Sequence, residues 1–207
     1  MFKKAFSLSE VLIVVSIIGI VAILTVPGLV NNYEDEKTVV QLRKIHNDLN
    51  SSYKQVLLKY GEYENWSTVN DTEKIKRYYE FLDTIRIGSD VKFPLATYNG
   101  SSYSKCELKD GTLLSASTSN SSIIYVALDG INGDILGANI FAFNVMPEQD
   151  AIRPMGYGYD KQSNGALYFP SNVYLAMFGT NWAIANGNLD YLKCLGSLNW
   201  NSKLSCK

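Results

Sequence analysis

The sequence predicts an α+β protein, from two observations: a long N-terminal run of helical character, apolar first and amphipathic after, and a series of turn-bounded β segments behind it. No internal repeat, charge run or low-complexity linker interrupts the remainder of the 207-residue chain. The part after residue 61 is long enough for one domain with its own core.

The apolar run comes first. From Val11 to Val30 there is no charged side chain, and about 20 apolar residues let a helix cross the roughly 30 Å hydrocarbon core of a bilayer. Lys3 and Lys4 precede this stretch and Glu34, Asp35 and Glu36 follow it. Basic residues stay on the cytoplasmic side, so the N-terminus is expected inside and the rest of the chain exported. Glu10 is the acid at the N-terminal end of the span. An ionised group left alone in hydrocarbon costs several kcal/mol or more, so Glu10 has to be neutral, paired or functional. A cleavable signal peptide has an apolar core of about 7 to 15 residues and a small-x-small site. Here the run is longer and ends in TVPGLVNN.

The stretch KKAFSLSEVLIVVSIIGIVAILTVP resembles the N-terminal class III signal of type IV pilins and of the pseudopilins of type II secretion systems. The resemblance implies a leader, residues 1–5, removed by a prepilin peptidase between Ala5 and Phe6, with methylation of the new amine on Phe6. It makes Glu10 the family's glutamate, four residues beyond the new N-terminus, and Pro27 the family's helix-kinking proline. The residue before the cleaved bond is usually Gly. This chain has Ala5, the nearest to it in size. The implied organisation is a transmembrane and assembly helix over residues 6–30, its amphipathic continuation over 31–61, and a pilin-like globular domain over 62–207. The implied partners are homologous subunits, the peptidase, an inner-membrane assembly platform and membrane lipid. The implied place is the bacterial inner membrane, then a periplasmic pseudopilus or a cell-surface pilus.

The implied assembly step has a physical basis. Cleavage creates an α-ammonium on Phe6, and Glu10 of a neighbouring subunit can pair with it where the dielectric is low and water cannot compete. Gly19, Pro27 and Gly28 punctuate the helix. Proline removes a backbone donor and clashes with the preceding turn, which costs about 3 kcal/mol or more, so a kink or local melting is expected at Pro27. Gly19 equally suits close helix packing.

Beyond the span, Leu42, Ile45, Leu49, Tyr53, Val56 and Tyr60 recur at three- and four-residue intervals, with Gly61 as a stop. Asn70 and Glu73 read as a capping box that opens a second helix over residues 71–85, with Ile75, Tyr78, Tyr79 and Leu82 as its stripe. Asp110-Gly111 between CELK and TLLSAS signals a hairpin, and SSIIYVAL and NIFAFNV read as further strands. These strands should form an antiparallel sheet over the apolar face of the long helix. Later, WAIA before Asn186-Gly187 reads as a short strand and turn, and NLDYLKC as a helical turn.

Three cysteines in an exported chain favour a disulfide. Cys194 and Cys206 enclose a short C-terminal loop, similar in position to the disulfide-bounded loop of many type IV pilins. Cys106 then reads as a buried strand thiol, and its pairing with Cys194 or Cys206 stays open. Asp129, Asn132 and Asp134 share a Gly-bearing loop whose oxygens could hold Ca²⁺, as in major pseudopilins. The spacing is not that of an EF-hand, so a structural turn is preferred and no metal residue is assigned. The one histidine, His46, reads as exposed or interhelical rather than catalytic. No phosphate loop, zinc spacing or nucleophile elbow is present, so no enzyme is expected. A net charge of -1 supplies no basic footprint for nucleic acid. The expectation is a non-enzymatic prepilin or pseudopilin subunit. The alternative is an anchored adhesive or substrate-binding surface protein whose Tyr- and Asn-rich C-terminal part makes the contact.

Overall fold

The computed structural model describes residues 7–66, 68–88, 90–98, 100, 102–117, 122–133, 135–158 and 172–206. The chain divides into two units, Met1–Lys37 and Thr38–Lys207. Helix α1, Leu8–Tyr60, contributes to both.

In the first unit the Leu8–Val26 stretch of α1 is exposed among the described residues, and it is long and apolar enough to cross a membrane. Its two central hydroxyls are satisfied within the helix: Ser16 Oγ donates to Leu12 O at 2.8 Å and Thr25 Oγ1 to Val21 O at 2.9 Å. That removes the cost of carrying a bare hydroxyl into hydrocarbon. The helix does not melt at Pro27 but runs on through Pro27 and Gly28. One missing backbone donor does not stop a helix that has long helix-forming flanks on both sides.

In the second unit, the three- and four-residue spacing of α1 becomes burial. Val39, Leu42, Ile45, Leu49, Tyr53 and Val56 are buried, while Arg43, Lys44, Asn47, Asp48, Ser51 and Lys54 are exposed. Helix α2, Asp71–Tyr79, begins with Asn70 accepting from Glu73 N at 2.9 Å. Ser52 Oγ of α1 donates to Tyr78 O of α2 at 2.8 Å. The helix ends six residues before the expected Ile85. Thr84, Ile85 and Ile87 are β-branched and favour extended backbone, and they form strand β1, Thr84–Ile87.

Five more strands follow in sequence order: β2, Tyr103–Leu108; β3, Leu113–Ser117; β4, Ile123–Ala127; β5, Ile140–Met146; and β6, Ala151–Pro154. They form one six-stranded meander in the order β1-β2-β3-β4-β5-β6, antiparallel throughout. The expected hairpin joins β2 to β3. Leu108 N donates to Thr112 O at 2.9 Å, Thr112 N donates to Asp110 Oδ1 at 3.1 Å, and Gly111 takes φ +85°, which glycine tolerates without a Cβ clash.

The sheet buries both faces. Cys106, Leu114, Ala116, Ile124, Val126, Phe141 and Phe143 share a core with α1 and α2. The intervening Leu113, Tyr125, Ala127, Ile140 and Ala142 meet Val91, Phe93 and Tyr98, and the Tyr98 and Tyr125 rings stack at 4.1 Å. Two-faced burial explains why IIYVA reads as a continuous apolar run.

Helix α3, Asn172–Asn186, contains the WAIA segment that was expected as a strand. Trp182 and Ala183 are fully buried. The Asn186-Gly187 signal marks the end of this helix: Gly187 takes φ +73° and its N–H donates to Ala183 O at 3.0 Å. Arg43 of α1 donates from Nε and Nη2 to Ile184 O at 3.1 and 2.8 Å, placing a cation on the last turn of α3. Thr180 Oγ1 accepts from Ala142 N at 3.0 Å, which ties α3 to β5. The short helix α4, Tyr191–Cys194, matches the expected NLDYLKC turn.

Truncating the buried stripe and the exposed face of α1 should have unequal effects. Leu49→Ala should cost about 2–5 kcal/mol, whereas Lys54→Ala should stay within about 0.5 kcal/mol. Denaturant unfolding of the full chain in detergent measures both.

Candidate functional site

The first candidate site is the start of α1. Ser7 stands outside the helix and Leu8 is its first residue, so Ser7 is the N-cap and Glu10 the third helical residue. Ser7 N donates to Glu10 Oε2 at 2.8 Å, Ser7 Oγ donates to the same oxygen at 3.0 Å, and Glu10 N donates to Ser7 Oγ at 3.3 Å. Serine and glutamate therefore satisfy one another's groups in a capping box. The acid thus has two donors from its own chain at the edge of the apolar segment. Ser7-Leu8-Ser9-Glu10 before an apolar run is the sequence signature of such a box, and reading Glu10 only as an assembly acid missed it.

The other predicted residues of this region separate. Ala5 and Phe6 lie outside the described residues, and Pro27 sits in the same helix several turns beyond Glu10. Among the described residues, nothing beyond its own stretch of helix lies within 4 Å of where a Cβ of Gly19 would stand. Packing inside this chain therefore does not require a glycine there.

The second candidate region is the C-terminal loop. Cys194 and Cys206 are joined by a disulfide with Cα atoms 5.8 Å apart. Asn188 Oδ1 accepts from Trp182 Nε1 at 2.9 Å and from Asp190 N at 3.1 Å, and its Nδ2 donates to Leu204 O at 3.0 Å. Cys206 N donates to Asp190 Oδ2 at 2.8 Å. Trp200 packs edge-on against Trp182 with ring centroids 4.6 Å apart. The loop is thus tied to α3 by polar and aromatic contacts as well as by the covalent bond. Cys106 is a free thiol buried in β2, and burial pushes its pKa upward, which keeps it un-ionised and unreactive.

His46 is neither exposed nor between helices. Its ring stacks on Phe143 of β5 at 5.5 Å, and Nε2 lies 3.0 Å from Ile152 O of β6. Asn50 completes the edge: its Nδ2 donates to Ile152 O at 2.8 Å and its Oδ1 accepts from Ile152 N at 2.9 Å. The Asn50 side-chain amide takes the place of a neighbouring strand on β6. A lone polar residue at helical spacing carries no sequence signal for this role.

In the DGINGD segment, Gly130–Asn132 forms a 3₁₀ turn, with Asn132 N donating to Asp129 O at 3.2 Å. Asp134 lies outside the described residues. Among the described residues, no three His, Cys, Asp or Glu side chains group as metal ligands. A cavity of about 350 Å³ opens between α1 and the β2–β3 hairpin, with Lys44, Asp83, Lys109 and Asp110 on its rim. These charges pair as Lys44–Asp110 at 2.7 Å and Lys109–Asp83 at 2.5 Å. Exposed pairs of this kind contribute about 0–1 kcal/mol each. The chain matches no family model, no curated protein and no solved structure.

Two stability measurements probe these sites. Replacing Cys194 and Cys206 with Ser should cost about 3 kcal/mol. The Trp182 environment, read by fluorescence, should persist because Asn188 keeps its bonds.

Desolvation lowers the His46 pKa, with Arg153 nearby adding to the effect. The unfolded chain, with histidine near its ordinary 6.5, therefore binds the proton first as pH falls. Stability should be unaffected by His46 above about pH 7.5 and decline as pH drops through 6.5 and below. His46→Gln should flatten that part of the profile between about pH 7 and 5 relative to wild type.

Proposed function

We propose that this chain is a non-enzymatic structural subunit of a filament of the type IV pilus or type II secretion pseudopilus kind. The observation that carries the reading is Glu10, in the first turn of a helix whose Leu8–Val26 stretch is apolar enough to cross a membrane. The same helix continues into the core of an α+β domain. In a plain anchor such an acid would serve only to cap its own helix, at a cost to insertion, whereas an assembly helix would also use it to pair with a neighbour.

On this reading the subunit waits in the inner membrane with residues 1–5 cytoplasmic and the domain exported. Prepilin peptidase cuts between Ala5 and Phe6, the Phe6 amine is methylated, and an assembly platform lifts the subunit out of the lipid. The apolar faces of neighbouring helices then replace lipid, and Glu10 meets the Phe6 amine of another copy. Its partners are other subunits of the same class, the peptidase, the platform and lipid. The disulfide belongs to the exported part, where thiols are oxidised in many bacteria.

N-terminal mass spectrometry of membrane and filament fractions should find mature protein beginning at methylated Phe6. Met1 retained in assembled protein, or a cut near Val30, would remove the reading. Glu10→Ala should leave membrane insertion intact, because it makes the span more apolar, while incorporation into filaments falls. Normal incorporation of that variant would mean that Glu10 does not set register.

A further inference from the structure

Two features of residues 38–207 have no part in the roles above, and they complement one another. The first is the cavity of about 350 Å³ between α1 and the β2–β3 hairpin. Its apolar lining is Phe81, Leu82 and Leu108, of which the two leucines are buried and so lie at its base. On its rim Lys44 and Lys109 are already paired with Asp110 and Asp83. Asp48, one turn along α1 from Lys44, also lines it and makes no side-chain hydrogen bond or ion pair with any described residue. Two lysines and three aspartates leave this hole with one net negative charge. The second feature is the loop closed by Cys194 and Cys206. Lys203 is the only charged residue between these cysteines. Its exposed amine has no partner among the described residues, and the adjoining Leu204 is 47% exposed. The disulfide and the bond from Asn188 Nδ2 to Leu204 O hold this knob in place beforehand, so little ordering entropy is left to lose on contact.

We infer that the Cys194–Cys206 loop of one copy seats in the cavity between α1 and the hairpin of a second copy, with Lys203 on Asp48 and Leu204 over Leu82 and Leu108. Charge and apolar surface match at both positions, and an ion pair at the edge of a water-poor hole gains more than one on an open surface. No loop residue lines the cavity of its own chain. The two lie on different sides of α1: Lys44 reaches the hairpin, while its neighbour Arg43 reaches the end of α3, to which the loop is tied. Hole and knob are thus separate surfaces, and the contact between them is head-to-tail. Each joined pair keeps a free hole at one end and a free knob at the other, so the contact repeats until a ring closes or an open string grows. The contact uses only residues of the 38–207 unit and is open to filament subunits and to anchored copies alike.

The test uses the full, uncleaved chain in dodecyl maltoside micelles. A carbodiimide, which joins a carboxylate to an amine in contact with it, is applied to a mixture of copies carrying light and heavy isotopic label. A peptide pair of mixed label linking Asp48 to Lys203 is expected, and its absence overturns the contact. Sedimentation equilibrium then measures association. Asp48→Lys and Lys203→Glu should each weaken it about tenfold, since like charges now meet. Trp182 fluorescence should stay unchanged, because both substituted positions are exposed. Mixing equal amounts of the two variants should regain wild-type association, since each hole then finds a knob of opposite sign. Wild-type association by either variant alone overturns the inference, and so does a mixture that fails to recover. A fold defect or pairing of the apolar helices would not produce recovery on mixing. Copies that associate in this way, yet never begin at Phe6 in cells, keep the contact and remove the filament reading.

Discussion

Burial of one stripe of α1 against the sheet is the interaction on which the rest of residues 38–207 depends. Val39, Leu42, Ile45, Leu49, Tyr53 and Val56 share one core with Cys106, Leu114, Ile124, Val126, Phe141 and Phe143. Removing this helix would uncover its share of one face of a sheet whose other face is already occupied by Phe93, Tyr98 and Tyr125. Each large apolar side chain contributes about 1.5–3 kcal/mol on burial, against a net stability of about 5–15 kcal/mol for a typical domain. The secondary ties reinforce the same seam. Ser52 holds α2, Arg43 closes α3 and Asn50 finishes β6, all from polar positions beside the stripe.

Periodicity made the stripe legible in the sequence, because one helix against one sheet writes burial at intervals of three and four. The hairpin was legible for a different reason: Asp110-Gly111 supplies turn chemistry that few other contexts need. The error at α2 shows where spacing stops being informative. Leu82 is buried in the same core as Ile75, Tyr78 and Tyr79 although it lies beyond the helix, so the apolar series continued after the backbone had turned. WAIA failed because four residues are too short to separate the two periods. Its helical identity comes from Trp182 and Ala183 packing under the sheet and from Thr180 reaching Ala142. His46 and Asn50 were illegible as edge partners, since what they bond is the backbone of Ile152, far away in sequence and silent about its own hydrogen bonding.

The start of α1 was legible in one sense and not in another. Its apolar length, its flanking charges and its acid were all plain in the sequence. The local bonding was also written there, as serine three residues before glutamate. The capping role of Glu10 is compatible with the proposed pairing, because the two capping donors share one carboxylate oxygen.

The disulfide at the other end of the chain has a topological consequence. Cys194 and Cys206 close a ring that contains the exposed Lys203 and Leu204. A protease cutting anywhere between the two cysteines opens the ring but releases no fragment, since both new ends stay covalently joined through sulfur. The clipped segment also keeps its noncovalent hold through Asn188 and Asp190. Such a nick would release no piece under non-reducing conditions, adding only the water of hydrolysis, and the two pieces would separate once the bond is reduced.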